Sequence, residues 1–257
     1  MKKINAIASI LAVALIFGSA VSSATASEGA KPHAQDWSFN GIFGTFDRGA
    51  LQRGYQVYSE VCAACHALRL LSYRNLTAIG LSPDQVKKIA AEFEVTDGPN
   101  DEGEMFQRPA RPSDRFVSPF ANENAARASN NGALPPDLSL MTKARKGGAD
   151  YLHGLLTGYK EEPPAGVKLP EGMNYNLYFP GNQIAMAPPL ADDAVKYADG
   201  TKATLDQVSS DVTTFLAWAA EPELEERKRL GIKVMLFLLV LTGMLYALKV
   251  SIWKDQH

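Results

Sequence analysis

The sequence predicts a mainly α protein, with an exported domain of short helices joined by long loop insertions and one C-terminal transmembrane helix. Three observations carry that expectation. Helix start and stop signals recur along the chain, separated by stretches rich in Pro and Gly. Both cysteines fall in one motif, Cys62-Ala63-Ala64-Cys65-His66, among residues of helical pattern. Leu230 to Val250 is a largely apolar run of 21 residues, enough to cross a hydrocarbon core of roughly 30 Å.

Taken in order, Lys2 and Lys3 precede an apolar run from Ile4 to Ala20, and Ala24-Thr25-Ala26 follows. This pattern is that of a secretory signal peptide cleaved after Ala26. The implied division is 1–26 signal peptide, 27–226 exported domain, 230–250 anchor and 251–257 cytoplasmic tail. Ser27 to Asp47 lacks helical period and reads as an extended arm. Arg48 to Leu71 reads as a helix carrying the cysteine motif, with Tyr55, Val57, Tyr58 and Val61 apolar just ahead of it. Ser82-Pro83-Asp84-Gln85 starts a second helix, with Ser82 as N-cap, Pro at the first position and Gln three residues on. That helix is expected to reach about Phe93. Val95 to Phe120, rich in Pro, Gly and acid, reads as a loop.

Glu123 to Ser129 is again helical and ends in Asn130-Asn131-Gly132. Pro135-Pro136-Asp137-Leu138-Ser139 leads into an apolar-periodic stretch through Ala144. After Gly147-Gly148, Ala149 to Leu156 reads as a short helix stopped by Gly158, and Glu161 to Gly181 as irregular chain. Thr204 to Ala220 has Val208, Val212, Phe215, Leu216 and Trp218 apolar. It is expected to pack on the Arg48–Leu71 helix and lead, past Pro222, into the span. Lys233 and Lys249 can snorkel to the membrane surfaces, and Trp253 is an interfacial aromatic.

Cys-x-x-Cys-His is the attachment pattern of c-type haem: two sulfurs for the porphyrin and a histidine, His66, for the iron. Zinc on Cys62, Cys65 and His66 would need a fourth ligand. There is no third cysteine, and His33, His153 and His257 are isolated. A thiol redox motif would sit in a βαβ context, which the flanking residues do not offer. The fold class is thus a cytochrome c-type haem domain with long loop insertions plus the anchor. Lys and Arg flank both ends of the span, so charge does not orient it. Haem c attachment outside the cytoplasm and the signal peptide place the large domain outside.

A sixth iron ligand or an open site remains to be assigned. The candidates are Met105, Met141, Met173, Met186 and His153. Met105 lies in the acidic loop, Met141 and His153 lie in core-like helical runs, and Met173 has no rigid neighbour. Met186, in Ile184-Ala185-Met186-Ala187-Pro188-Pro189-Leu190, is stiffened by two prolines and is favoured on rigidity. A methionine ligand gives an electron carrier, whereas an open site gives ligand binding or peroxide chemistry.

The chain has 257 residues, 46% of them hydrophobic and 21% charged, and a net charge of −2. From Ser27 to Glu226 there are 18 Lys and Arg against 27 Asp and Glu, a balance of −9. An acidic exported domain disfavours nucleic acid and favours a basic partner.

These segments together resemble the cytochrome c1 family, the haem subunit of the bacterial cytochrome bc1 complex. The matching residues are Arg53–Tyr58, Cys62–His66, Asp97–Asn100, Gly103–Phe106, Ala125–Ala128, Asn130–Ser139, Leu156–Tyr159, Met186–Pro189 and Trp218–Glu223. The resemblance implies one covalently bound haem c, with His66 and Met186 as iron ligands. It also implies that Arg145 contacts a haem propionate, that Asn130 and Tyr151 line the pocket, and that Pro135 packs beside the ring. Implied partners are cytochrome b, a Rieske iron–sulfur protein and a soluble cytochrome c, in a dimeric complex of the inner (cytoplasmic) membrane with the haem domain periplasmic. The subunit would be no enzyme by itself, but the electron-transfer part of a quinol–cytochrome-c reductase. Glu92, Glu94, Asp97, Asp101, Glu102, Glu104, Glu161 and Glu162 are candidates for docking a basic cytochrome c. The chain departs from vertebrate members in its short tail, and it lacks a cysteine pair found in some bacterial members. A haem peroxidase and a free-standing anchored shuttle are the competing readings.

Overall fold

The computed structural model describes residues 29–254, within which the chain forms seven α-helices and four short strands. The signal peptide expected over 1–26, residues 27–28 and residues 255–257 lie outside the described residues. Helix α1 (Arg48–Glu60) starts at Asp47, whose carboxylate accepts from Ala50 N at 3.1 Å. Its buried face is Leu51, Gly54, Val57 and Tyr58. Helix α2 (Pro83–Ala91) carries the expected reciprocal cap, Gln85 N to Ser82 Oγ at 3.2 Å and Ser82 N to Gln85 Oε1 at 2.8 Å. Helix α3 (Glu123–Ser129) ends as expected at Asn130, with Asn131 and Gly132 at positive φ. Helices α4 (Met141–Ala144) and α5 (Gly148–Thr157) follow, and α6 (Leu205–Ala220) begins at its Thr204 cap.

The expected packing of α6 on α1 is present and forms the centre of the core, joining Leu51, Val57 and Tyr58 to Val208, Val212 and Phe215. The helices come closest at Gly54, where a Cβ would stand 2.0 Å from the Asp211 carbonyl oxygen. Only glycine admits that approach. Beside it Arg53 grips the Asp211 carboxylate with two bonds, Nε to Oδ2 at 2.9 Å and Nη2 to Oδ1 at 3.0 Å. Asp211 is 1% exposed, and Gln207 Nε2 gives it a third bond at 3.1 Å. Arg53 also reaches Asp199 at 2.9 Å and lies over the Tyr197 ring.

Three expectations need correction. The helix expected over Arg48–Leu71 stops at Glu60, and the cysteine motif occupies a single 3₁₀ turn, Cys62–Ala64. Tertiary bonds draw the chain off the helical path: Leu138 N donates to Ala67 O at 2.9 Å, and Phe116 N to Leu71 O at 3.0 Å. Cys65 follows the 3₁₀ turn directly and its N–H closes on Cys62 O at 3.1 Å, so the two cysteines stand one turn apart. Second, the loop expected over Val95–Phe120 contains a hairpin. Strand β1 (Glu94–Asp97) pairs antiparallel with β2 (Phe106–Pro109). Asn100 Oδ1 closes its turn by accepting from Glu102 N and Glu104 N, and Arg108 pins its base to Asp97 and Asp114. Third, the irregular 161–181 segment holds β3 (Asn174–Tyr175), which pairs antiparallel with β4 (Gln183–Ile184).

The arm from Gly29 to Asp47 is extended as expected and strapped down, with Gln35 N and Trp37 Nε1 both donating to Asp150 Oδ1. Helix α6 ends at Glu221, and α7 (Leu224–Trp253) follows, 30 residues and about 45 Å long. Its apolar window has mean hydropathy 2.1 and none of it is buried against the domain, so it is long and apolar enough to span a membrane. Its first turns are tied to the domain. Glu225 accepts from Phe46 N and Arg48 Nη2, each at 2.8 Å, and Lys228 Nζ donates to Phe39 O at 2.7 Å and Gly44 O at 3.0 Å.

Asp211→Ala, which leaves Arg53 without its buried partner, is expected to cost about 3 kcal/mol. Asp199→Ala, at the exposed end of the same network, is expected to cost less than about 1 kcal/mol. Denaturant midpoints of the detergent-solubilised protein, followed by circular dichroism, check this; equal losses would dissociate the stability from the buried carboxylate.

Candidate haem site

The motif residues are positioned by the chain that follows α3. Cys65 N and His66 N both donate to Cys62 O, at 3.1 and 2.9 Å, which closes the 3₁₀ turn. His66 Nδ1 lies 2.8 Å from the Pro136 carbonyl oxygen. A carbonyl only accepts, so Nδ1 carries the proton and Nε2 keeps its lone pair. The backbone on either side is held as well. Tyr58 OH donates to His66 O at 3.1 Å, Arg69 N to Asp137 Oδ2 at 2.9 Å, and Leu70 N to Ser139 Oγ at 3.1 Å. Burial pulls the His66 pKa below the ordinary imidazole range, favouring the neutral ring, and pushes the Cys62 thiol up to about 12. Cys62 and Cys65 form no disulfide with each other. Two unpaired thiols and a neutral imidazole with an available Nε2 are the donor set that c-type haem requires, so the residues fit the group.

Met186 is half-buried, in a loop held at its backbone. Tyr159 OH donates to Met186 O at 3.0 Å, and Asn174 Nδ2 approaches the same oxygen at 3.4 Å. Behind it stands Asn176, fully buried, whose amide donates to Leu155 O at 2.8 Å while its Oδ1 accepts from Tyr178 N and Phe179 N. Asn182 Nδ2 donates to the carbonyls of Asn176 and Leu177. The segment carrying Met186 is therefore braced by three asparagines and a tyrosine.

The other ligand candidates are placed differently. Met105 is 61% exposed in the hairpin turn, and Met141 is packed in the core. His153 is 5% exposed, with Nε2 3.2 Å from Asp206 Oδ1 and its ring edge-on to Trp37. Met173 is half-buried just ahead of β3. Pro135 lines a cleft together with Cys65, Ala67, Ala126 and Pro136. Tyr151 is buried on α5, and burial pushes its hydroxyl pKa up against the opposing effect of the nearby Arg145 cation. Arg145 is exposed at the end of α4. Asn130 caps α3 and gives its amide to Ala126 O at 2.7 Å, so its donor is turned to its own helix. Of the acidic residues, Glu92, Glu94, Asp101, Glu102, Glu104, Glu161 and Glu162 are exposed, whereas Asp97 is taken by Arg108.

Sequence reasoning assigned no role to Pro136, Asp137, Ser139, Tyr58, Tyr159 or Asn174. Pro136 acts through a carbonyl, which no side-chain pattern reveals; the stiffness of Pro135-Pro136 was its only signal.

Comparison with known proteins bears directly on this arrangement. The family model described as Cytochrome C1 family matches residues 37–256. "Cytochrome c1" of Rhodospirillum rubrum is 52% identical, covering 88% of this chain and 89% of that protein. The mitochondrial "Cytochrome c1, heme protein" of Saccharomyces cerevisiae is 54% identical over 90% of this chain and 73% of its own length. "Cytochrome b/c1" of Bradyrhizobium diazoefficiens is 50% identical over 98% of this chain, which spans only 40% of that longer protein. The chain belongs to the cytochrome c1 family and carries a single covalently bound haem c.

Proposed function

We propose that the protein is the one-electron haem subunit of a cytochrome bc1 complex, oxidising a Rieske iron–sulfur protein and reducing a soluble cytochrome c. The observation that carries this reading is the His66–Pro136 contact, which takes up Nδ1 and leaves the Nε2 lone pair available on the residue that follows Cys65 in the chain. Cys62 and Cys65 form the thioethers, and His66 and Met186 bind the iron. Bound haem supplies a one-electron couple between Fe(III) and Fe(II), and no substrate bond is made or broken. Pro136 fixes the His66 tautomer and ring plane. Tyr159 and Asn174 hold the Met186 backbone, so its thioether is presented without a large ordering cost. Arg145 serves as the cation for a propionate, Tyr151 lines the pocket and Pro135 packs beside the ring. Asn130 serves the pocket by shaping the end of α3.

The domain spans 27–226 and lies on the periplasmic side of the bacterial inner membrane, after removal of 1–26. Residues 230–250 cross the bilayer, and 251–257 face the cytoplasm. Cytochrome b and the Rieske protein are its membrane partners, in a dimeric assembly. A relative from Candida albicans, 52% identical, is named as the catalytic subunit of the cytochrome b-c1 complex, which supports this membership. The hairpin turn, with Asp101, Glu102 and Glu104 exposed, offers negative charge to a basic cytochrome c.

Three outcomes test the reading. Extraction in mild detergent should co-purify a b-type cytochrome and an iron–sulfur protein, and quinol should reduce this haem; a lone haem protein that quinol leaves oxidised would point to an independent shuttle. Met186→Leu should keep the haem covalently attached while lowering its potential by on the order of hundreds of millivolts, inside the roughly 0.8 V range that axial ligands command. A wild-type potential would remove Met186 as ligand. Electron transfer to soluble cytochrome c should slow as ionic strength rises, and a flat profile would sink the acidic docking surface.

A further inference from the structure

Near the junction of α6 and α7 the N-terminal arm folds into a loop with a buried base and an exposed tip. Trp37 stacks on Phe39 at 5.5 Å between ring centroids, and Phe39 meets Phe46 at 4.9 Å. All three aromatics are buried. Asn40 N donates to Trp37 O and Thr45 N to Ser38 O, which closes the neck. Beyond it Ile42 is 69% exposed and Phe43 is 82% exposed, more than any other large apolar residue outside α7 among the described residues. The backbone enforces this exposure. Gly41 has φ +71°, and the chain doubles back so tightly that a Cβ on Gly44 would lie 1.8 Å from Asn40 O. The aromatic base already occupies the space inward of the tip.

The loop is fixed at a defined height on the anchor. Lys228 Nζ binds the carbonyls of Phe39 and Gly44, one on each side of the tip. Lys228 is two residues from Leu230, where the apolar run starts, or about 3 Å along the helix axis. Arg229 and Lys233 are exposed nearby along the helix, suited to lipid phosphates. A single exposed apolar side chain is ordinary. Two adjacent ones on a rigid tip, tethered where the anchor enters the bilayer, are not explained by chance exposure.

We infer that Ile42 and Phe43 insert into the boundary between lipid headgroups and acyl chains, giving the domain a second membrane contact beside α7. Bulky apolar side chains are favourable at that depth. The tip is convex, and Lys228 occupies the carbonyls of Phe39 and Gly44, so it offers little for a neighbouring helix or strand to pair with. Together with α7 the tip gives the domain two points of attachment to the bilayer. The inference rests on α7 crossing the membrane.

The test uses the full-length, haem-loaded protein, in which Cys62 and Cys65 are closed as thioethers and an added thiol is the labelling site. A nitroxide is placed at Phe43→Cys, with Glu104→Cys as aqueous control and Leu239→Cys as mid-span control. Collision with oxygen, which partitions into lipid, is compared with collision with a water-soluble nickel chelate. The measurement is made on the isolated protein in phosphatidylcholine–phosphatidylglycerol vesicles and on the intact complex. The expected result is an oxygen-to-nickel ratio at position 43 severalfold above that at 104 in both preparations. A ratio equal to that at 104 overturns the inference. Shielding from both reagents in the complex alone also overturns it, because a protein neighbour then covers the tip. A water-like ratio at 239 would mean that the span itself has failed, and the inference would fall for that separate reason.

Discussion

The fold is organised around the contact of α1 with α6 at Gly54, where two backbones meet with no side chain between them. That proximity brings Arg53 to the buried Asp211 carboxylate, and the ion pair in turn makes the crossing intolerant of sliding. A buried pair of this kind adds little net stability against an apolar alternative, but it penalises every arrangement that leaves either charge alone. Its value is register. Helix α1 runs directly into the cysteine motif, and α6 runs, past Pro222, into the anchor. This crossing, together with the Glu225 and Lys228 ties at the start of α7, sets the position of the haem-bearing turn relative to that helix.

The segments that carry His66 and Met186, the two iron ligands proposed above, are held by different means. The His66 segment relies on a loop, residues 136–139, laid against residues 66–70 by four hydrogen bonds, one to the imidazole and three to the backbone just after the motif. The Met186 segment relies on the buried Asn176 and the half-buried Asn182, whose side chains replace regular secondary structure in a stretch with two two-residue strands. Both solutions satisfy backbone groups that would otherwise be stranded in a loop-rich interior. Family membership and haem c follow from the comparisons, and the geometry supplies the physical reason why so irregular a chain can hold rigid donors.

Much of this was legible in the sequence because it is local. The Ser82–Gln85 cap, the Asn130–Gly132 stop and the Thr204 start each depend on neighbours within a few residues, and all three stand where expected. The apolar run of α7 was equally plain, since length and composition alone define it. What stayed hidden is non-local. Nothing between Glu60 and Leu71 announces the end of α1, because the bonds that divert the chain come from residues 116 and 138. The hairpin was invisible because its strands are four residues long and its turn is closed by the Asn100 side chain, with Arg108 fastening it to Asp114. The Pro136 carbonyl is marked in the sequence by nothing beyond the stiffness of its proline pair. The Cys62–His66 motif could be read only because its chemistry is compressed into five residues.

One feature of the anchor reaches further than attachment. Helix α7 is continuous from Leu224 to Trp253, and its first turns are fastened through Glu225 to the start of α1 and through Lys228 to the arm. The rotation of the helix about its own axis is therefore fixed with respect to the domain. Each residue of an α-helix advances the side chains by about 100°. The spacing between Lys228 and the span is then a phase angle rather than a length. A single inserted residue there would lift the span by only about 1.5 Å, yet it would swing every side chain beyond the insertion more than a quarter turn about the helix axis relative to the domain.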